Sequence, residues 1–378
     1  MPDRLYLDHA ATTPMTAAAR AAVAEGMARW ANPSSPHAEG RAARAALEDA
    51  RARIAAAYGW RHETILTSGT SEALAIALGR SAVKRRLISA VEHDAVIRAA
   101  PDATVLLVDE NGLLSPQRVS TALDTNGERD TAQPNPPFAS SEVEKQSRAL
   151  VCVQWANSET GVRQPIAPIA EAVHAASGLL LVDAAQMPAG ADPAIAERAD
   201  FVALSSHKRG GPVGIGALLV RDLATLSPTG GQERGYRPGT ENLPGALGYA
   251  AALAEPEDVT AMADLRAMLD DAIVRSGGEV VAAGAPRHPA IGSYRMIGTG
   301  SAAQLIRFDL AGISVSAGSA CSSGSMKPSH VLAAMGWSEA SSREVVRVSF
   351  GRSTSAADVT RFIQAWRQTA RETRSFAA

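Results

Sequence analysis

Lys208 ends the run Phe201-Val202-Ala203-Leu204-Ser205-Ser206-His207-Lys208, where an apolar stretch stops at two hydroxyls, an imidazole and an amine. Arg209-Gly210-Gly211-Pro212 then breaks the chain into a loop. Open α/β sheets place ligand chemistry at the carboxyl ends of their strands, so an amine delivered there is a candidate Schiff-base lysine. A solvated surface lysine is the plainer reading of the same fragment. Earlier in the chain, Leu179-Leu180-Leu181-Val182-Asp183-Ala184-Ala185-Gln186 ends a buried-type strand on a carboxylate and an amide. A buried carboxylate needs a cationic or hydrogen-bonding partner. A pyridinium nitrogen, as in pyridoxal phosphate, would serve; an aspartate capping its own turn is equally consistent.

Three further groups carry possible chemistry. Leu66-Thr67-Ser68-Gly69-Thr70-Ser71-Glu72 reads as strand, small-residue turn and helix start. Free N–H groups and the dipole of such a start attract a phosphate, although Thr70 and Ser71 also make ordinary caps. The lysine and glycine spacing of a P-loop is missing. His93 follows another strand, where an imidazole can stack on a flat ligand and move protons, or simply be a satisfied polar residue. Cys321 lies in Ser316-Ala317-Gly318-Ser319-Ala320-Cys321-Ser322-Ser323-Gly324-Ser325. An accessible thiol among glycines and serines suits a nucleophile that must travel, whereas cysteines are usually buried hydrophobes. Cys152, inside Leu150–Trp155, fits the buried description. Arg347, in Val345-Val346-Arg347-Val348-Ser349, suits a substrate carboxylate or a structural ion pair. Arg237 belongs to a glycine-rich stretch that reads as a long surface loop.

These residues need a sheet behind them. Strand-like runs at Thr64–Thr67, Leu87–Val91, Thr104–Val108, Leu150–Trp155, Leu179–Val182, Phe201–Leu204 and Gly216–Val220 alternate with helical stretches at 16–31, 38–58, 71–84, 93–100 and 167–177. That alternation predicts an α/β fold with a mostly parallel sheet covered by helices. The connection between the last two strands is too short for a crossover, which predicts an antiparallel pair. Residues 124–148 are polar and aperiodic, an expected exposed insertion. Beyond residue 250 the pattern becomes a helix at 256–276, short strands and a last helix from near Ser355, with Val359, Phe362, Ile363 and Trp366 at helical spacing. The expected division is a large domain over 15–250, with 1–14 and 251–378 forming a smaller α+β domain.

Composition is consistent with a cytoplasmic enzyme. The 378 residues carry 37 basic and 39 acidic side chains, so neither nucleic acid nor a membrane surface is an expected partner. Lys84-Arg85-Arg86 reads as a helix C-terminus. No apolar run spans a bilayer, and the start leaves no room for a secretory leader. Two cysteines exclude a disulfide framework and favour a reducing compartment.

Taken in order, these segments resemble the cysteine desulfurases, class V aminotransferase-like enzymes of pyridoxal-phosphate fold type I. The likeness runs from Tyr6-Leu7-Asp8-His9-Ala10-Ala11-Thr12-Thr13-Pro14 to Val346-Arg347-Val348-Ser349-Phe350-Gly351-Arg352. The serine-rich loop at Cys321, with Pro328-Ser329-His330-Val331-Leu332, is similar to the group with a long cysteine loop. The Arg-x-Gly-His-His-Cys-type motif of the other group is absent. The resemblance implies that Lys208 binds pyridoxal 5'-phosphate covalently, Asp183 pairs with its ring nitrogen and Gln186 with its ring oxygen. It implies that His93 stacks on the ring and aids proton transfer. Thr70, Ser71, Ser205 and His207 would hold the phosphate, with Thr240 reaching in from the other subunit of a homodimer. Arg347, with Asn32, would hold the carboxylate of L-cysteine. Cys321 would take the sulfur as a persulfide, release alanine, and deliver the sulfur to an acceptor protein for iron–sulfur assembly, tRNA thiolation or cofactor synthesis. A selenocysteine lyase, an aminotransferase and an inactive scaffold are the rival readings. Two departures stand out. Asn157-Ser158-Glu159 replaces Asn-Asn-Glu, which leaves the cofactor or substrate contact of Ser158 open. The chain also ends at Phe376-Ala377-Ala378, without the longer tail by which some relatives dock a scaffold.

Overall fold

A computed structural model describes residues 4–124, 148–318 and 328–377. The expected insertion at 124–148 lies outside them except for its end residues. In chain order the strands are β1 (Leu5–Tyr6), β2 (Glu63–Thr67), β3 (Arg85–Ser89), β4 (Thr104–Leu106), β5 (Ala149–Gln154), β6 (Leu179–Asp183) and β7 (Phe201–Ser205). They continue with β8 (Gly216–Val220), β9 (Glu279–Val280), β10 (Ile291–Arg295), β11 (Ile313–Ser314) and β12 (Val345–Ser349). Seven form one sheet in the order β2-β8-β7-β6-β5-β3-β4. Every pairing is parallel except those of β8, which is antiparallel to β2 and β7. The ten residues between β7 and β8 cannot carry a helical crossover, so the chain turns back in full register, Phe201 opposite Val220.

Every residue of β5, β6, β7 and β8 is buried, and their side chains alternate between two cores. Val151, Val153, Leu180, Val182, Val202, Leu204, Ala217 and Leu219 face one core, where helices Ala38–Ala57 and Ile166–Ala175 add Leu47, Ile54, Ile169 and Val173. Leu150, Cys152, Leu181, Phe201, Ala203 and Leu218 face the other, against Leu74, Ile76 and Leu78 of helix Thr70–Arg80. This period-two segregation explains why the strands read as continuous apolar runs.

A third core joins Leu5 and Leu7 to Met262, Leu269, Ile273, Tyr294, Phe308, Val346, Val348, Phe362 and Trp366. It lies against an antiparallel sheet of order β12-β10-β9, while β1 pairs in parallel with β11. Helix Ala356–Ala377 presents Val359, Phe362, Ile363 and Trp366 to this core, and the Phe308 and Phe362 rings lie 5.2 Å apart. No helix among the described residues is long and apolar enough to cross a membrane.

Local readings shift in three places. Arg85 and Arg86 belong to β3 and do not end a helix; their guanidinium groups reach the carbonyls of Ala122 and Leu78. β3 also ends at Ser89, because Glu92 N–H turns back onto the Ser89 carbonyl. The stretch around Arg237 is more than a surface loop, since its buried Glu233 takes Arg51 and the Leu66 N–H, tying the loop under β2.

Candidate active site

The carboxyl ends of β2, β3, β5, β6 and β7 converge on a cleft of about 530 Å³. Its lining includes Thr70, Ser71, His93, Ser158, Asp183, Gln186, Ser205, His207, Lys208 and Arg347. They arrive from the turns after β2, β3, β5, β6 and β7, as an open parallel sheet requires, with Arg347 added from β12.

At the end of β2, Thr67 donates its hydroxyl to the Gly69 carbonyl, and Gly69 has φ 151°, a conformation glycine tolerates. A Cβ on Gly216 of β8 would lie 2.7 Å from the Gly69 Cα, so two glycines let this turn rest on the sheet. Helix Thr70–Arg80 then starts with no side-chain cap. Thr70 Oγ1 is buried and has no hydrogen-bond partner among the described residues. Glu72 fixes the turn by accepting from Ser68 N–H and from Arg237. Burial works against the Glu72 carboxylate, but these donors prevail and hold it below the usual carboxylate range.

The turn after β3 brings in His93, whose Nδ1 accepts from Ala95 N–H at 3.1 Å, so Nε2 carries the hydrogen of the neutral ring. Burial, and then the positive charge of Lys208, lower its pKa. Asp183 ends β6, buried, with Oδ1 accepting from Ala185 N–H at 3.0 Å. Gln186 donates from Nε2 to the Ala10 carbonyl at 2.9 Å, while its buried Oε1 has no partner among the described residues. His207 has Nδ1 3.2 Å from Thr12 Oγ1, and burial with Lys208 and Arg209 lowers its pKa to about 4.

The loop of Lys208 is held from both sides. Thr13 donates its N–H to the His207 carbonyl and its hydroxyl to the Lys208 carbonyl. Arg209 reaches both oxygens of Glu257 at 3.1 and 3.0 Å, and Arg352 bonds the same carboxylate and the Arg209 carbonyl. Arg347 enters from β12, buried, with Nη2 2.7 Å from Asp8 Oδ1 and Nη1 donating to the Ser158 carbonyl at 2.9 Å.

Asn32 and Thr240 are exposed and do not line this cleft; Asn32 instead accepts from Ser34 N–H. Cys321 lies outside the described residues. The described segments on either side of it meet the cleft. Ser316 exchanges backbone hydrogen bonds with Arg347, Ser329 Oγ donates to Glu159 Oε2 at 2.6 Å, and His330 Nε2 lies 2.9 Å from the Glu92 carbonyl. Cys152 is buried, which pushes its thiol pKa well up.

Reading the sequence missed Asp8 as the partner of Arg347. It also missed Glu92, Gln154, Asn157 and His330, which frame the turn of His93. The available signal was a carboxylate next to the strand-end histidine, inside an otherwise apolar surrounding.

Fold and cleft together define an α/β enzyme whose cleft is lined by a lysine and an acid from strand ends and by an uncapped helix start. The family model for aminotransferase class-V matches residues 5–362. A cysteine desulfurase of Frankia sp. (strain EuIK1) is 36% identical over 386 residues, covering 94% of this chain and 88% of its own. The solved NifS-like protein from Rickettsia africae superposes with TM-score 0.83 at 28% identity, over 97% of this chain and 99% of that one. SspA in complex with cysteine gives TM-score 0.74 at 27% identity, over 93% and 100% of the two chains. The chain belongs to the class-V aminotransferase family, among its cysteine desulfurases.

Proposed function

We propose that this chain is a cysteine desulfurase that converts L-cysteine to L-alanine and holds the released sulfur as a persulfide on Cys321. The observation that carries the proposal is that Lys208, Asp183, His93, Gln186, Arg347 and the uncapped helix start share one cleft. The donor set suits pyridoxal 5'-phosphate. The unpartnered Thr70 hydroxyl and the helix N–H groups fit a phosphate, with Ser71, Ser205 and His207 beside them. Asp183 would face the ring nitrogen, and Gln186 would give its second amide N–H to the ring oxygen. Lys208 would supply the amine that binds the aldehyde. When bound, the cofactor would act as an electron sink for the substrate Cα.

The chain's own residues do the rest. Arg347 orients the substrate carboxylate, and Ser158 positions Arg347 through its carbonyl. Lys208 would stand as a base at the substrate Cα. His93, neutral at physiological pH, moves the proton between substrate and solvent. The Cys321 thiolate attacks the substrate sulfur. A sulfur–sulfur bond forms as the substrate carbon–sulfur bond breaks, leaving alanine and a persulfide. The chain would divide into a large domain at 15–250 and a smaller one at 1–14 with 251–378. It would act in the cytoplasm as a homodimer, with Thr240 serving the cleft of the second subunit, and would pass its sulfur to an acceptor protein.

Mass spectrometry after incubation with L-cysteine tests this reading. The expected result is one added sulfur on Cys321 and stoichiometric alanine. Continued sulfide release by Cys321→Ser in the presence of a reductant would overturn the persulfide route. A colourless protein with no borohydride labelling at Lys208 would instead point to an inactive homologue.

A further inference from the structure

Glu92 is 0% exposed, yet it lies on the wall of the cleft next to His93. Its Oε1 accepts from Gln154 N–H at 2.9 Å, while Oε2 is buried with no hydrogen-bond partner among the described residues. A strand pairing explains the first contact. β3 leaves β5 after Ile88 opposite Cys152, so the next outward N–H of β5 is taken by a side chain instead of a strand. The surrounding turn is tied from three more sides. Gln154 Nε2 and Asn157 Nδ2 both donate to the Val91 carbonyl, at 2.6 and 3.0 Å, and His330 Nε2 is bonded to the Glu92 carbonyl.

The same register places a second carboxylate close by, because Gln154 is the residue opposite Asp183 in the β5–β6 pair. Two buried carboxylates flanking one residue cannot both carry full charge cheaply. Asp183 has a backbone N–H and faces the cleft; Glu92 has one N–H and an enclosed second oxygen. The other titratable groups around Glu92 are His93 on its own turn, Cys152 on β5, His330 from the helix beyond, and Lys208 across the cleft.

We propose that Glu92 is a positioning residue, kept as an uncharged carboxylic acid, that seats the turn carrying His93 without placing a charge in the buried part of the cleft wall. Its part in positioning His93 rests on the desulfurase reading; its uncharged state does not. Burial, followed by the nearby Asp183, drives the Glu92 carboxyl well above the usual carboxylate range. In the unfolded chain Glu92 ionises as an ordinary glutamate, so folding above that pH requires taking up a proton. Stability from this group is therefore fully present at low pH and declines as pH rises towards the folded-state value.

The test uses cofactor-free protein first. The infrared difference between wild type and Glu92→Gln is expected to contain a protonated-carboxyl band at neutral pH. Thermal and urea unfolding from about pH 5 to about pH 8 should give Glu92→Gln a folding equilibrium constant that gains about tenfold or more over wild type. An ionised-carboxylate band, or a stability difference independent of pH, overturns the uncharged state whatever the enzyme's activity. In the cofactor-loaded enzyme, Glu92→Ala should lower kcat by about tenfold or more and Glu92→Gln should restore most of it. Equal losses in the two variants overturn the positioning role, since they would mean that the acid's own proton or charge is used.

Discussion

Arg347 uses two of its nitrogens on its own chain, one on Asp8 and one on the Ser158 carbonyl, and its buried Nε has no partner among the described residues. That arrangement holds the guanidinium plane still before any substrate carboxylate reaches it. Lysine supplies the charge but not the planar fork. Arg347→Lys is therefore expected to raise KM for L-cysteine about ten- to hundredfold, equivalent to about 1.4–2.8 kcal/mol, with a smaller change in kcat; steady-state alanine formation measures both. Both readings of Arg347 available from the sequence were reasonable, because a charge inside a short strand implies an anion without saying which. Lys208 and Asp183 were legible for a simpler reason: each lies in the polar residues at which an apolar run stops. Glu92 and Asp8 were not. Their partners, Gln154 and Arg347, arrive 62 and 339 residues later.

The seven-stranded sheet was readable because continuous apolar runs leave few alternatives to buried strands. Even the reversal at β8 followed from the length of one loop. Element ends were less legible, since caps and turns decide them. Helix Val259–Arg275 begins later than periodicity suggests because Asp258 accepts from Ala261 N–H and starts it there. The least legible feature was the contact between β8 and the turn before helix Thr70–Arg80, which brings together glycines from distant segments. Gly216→Ala places a Cβ 2.5 Å from the Leu204 carbonyl and 2.7 Å from the Gly69 Cα, and both are backbone. It should cost about 1–3 kcal/mol in urea unfolding and displace the helix start. Pyridoxal phosphate should then be lost several-fold faster on dialysis, followed by absorbance. Thr70→Val, which removes only a hydroxyl, should speed cofactor loss with little change in the unfolding midpoint.

Across the whole molecule, the lysine loop is joined to the C-terminal region by an ion triad, Arg209–Glu257–Arg352, in which Arg209 is buried and the other two are half-buried. Truncating its only acid leaves the buried Arg209 and the half-buried Arg352 without their shared partner. Glu257→Ala should therefore destabilise by about 1–3 kcal/mol in urea unfolding. The surrounding cation-rich interior also keeps histidines neutral: His9 and His207 have pKa values lowered to about 4, by burial first, and His288 is lowered well below its usual value. An unfolded chain would protonate these rings near their ordinary value while the folded one would not. Stability from them is complete above about pH 6.5 and falls as pH drops towards about 4. Thermal midpoints measured over that window should decline, and His9→Gln should flatten the decline. The pairing of β1 with β11, and of Asp8 with Arg347, has a consequence for synthesis. The first strand leaves the ribosome 339 residues before the arginine that Asp8 binds, an interval of roughly 20–70 s at ~5–20 residues per second. For most of it, until the segments from Met262 to Ile313 emerge, Leu5 and Leu7 lack the core they enter in the fold.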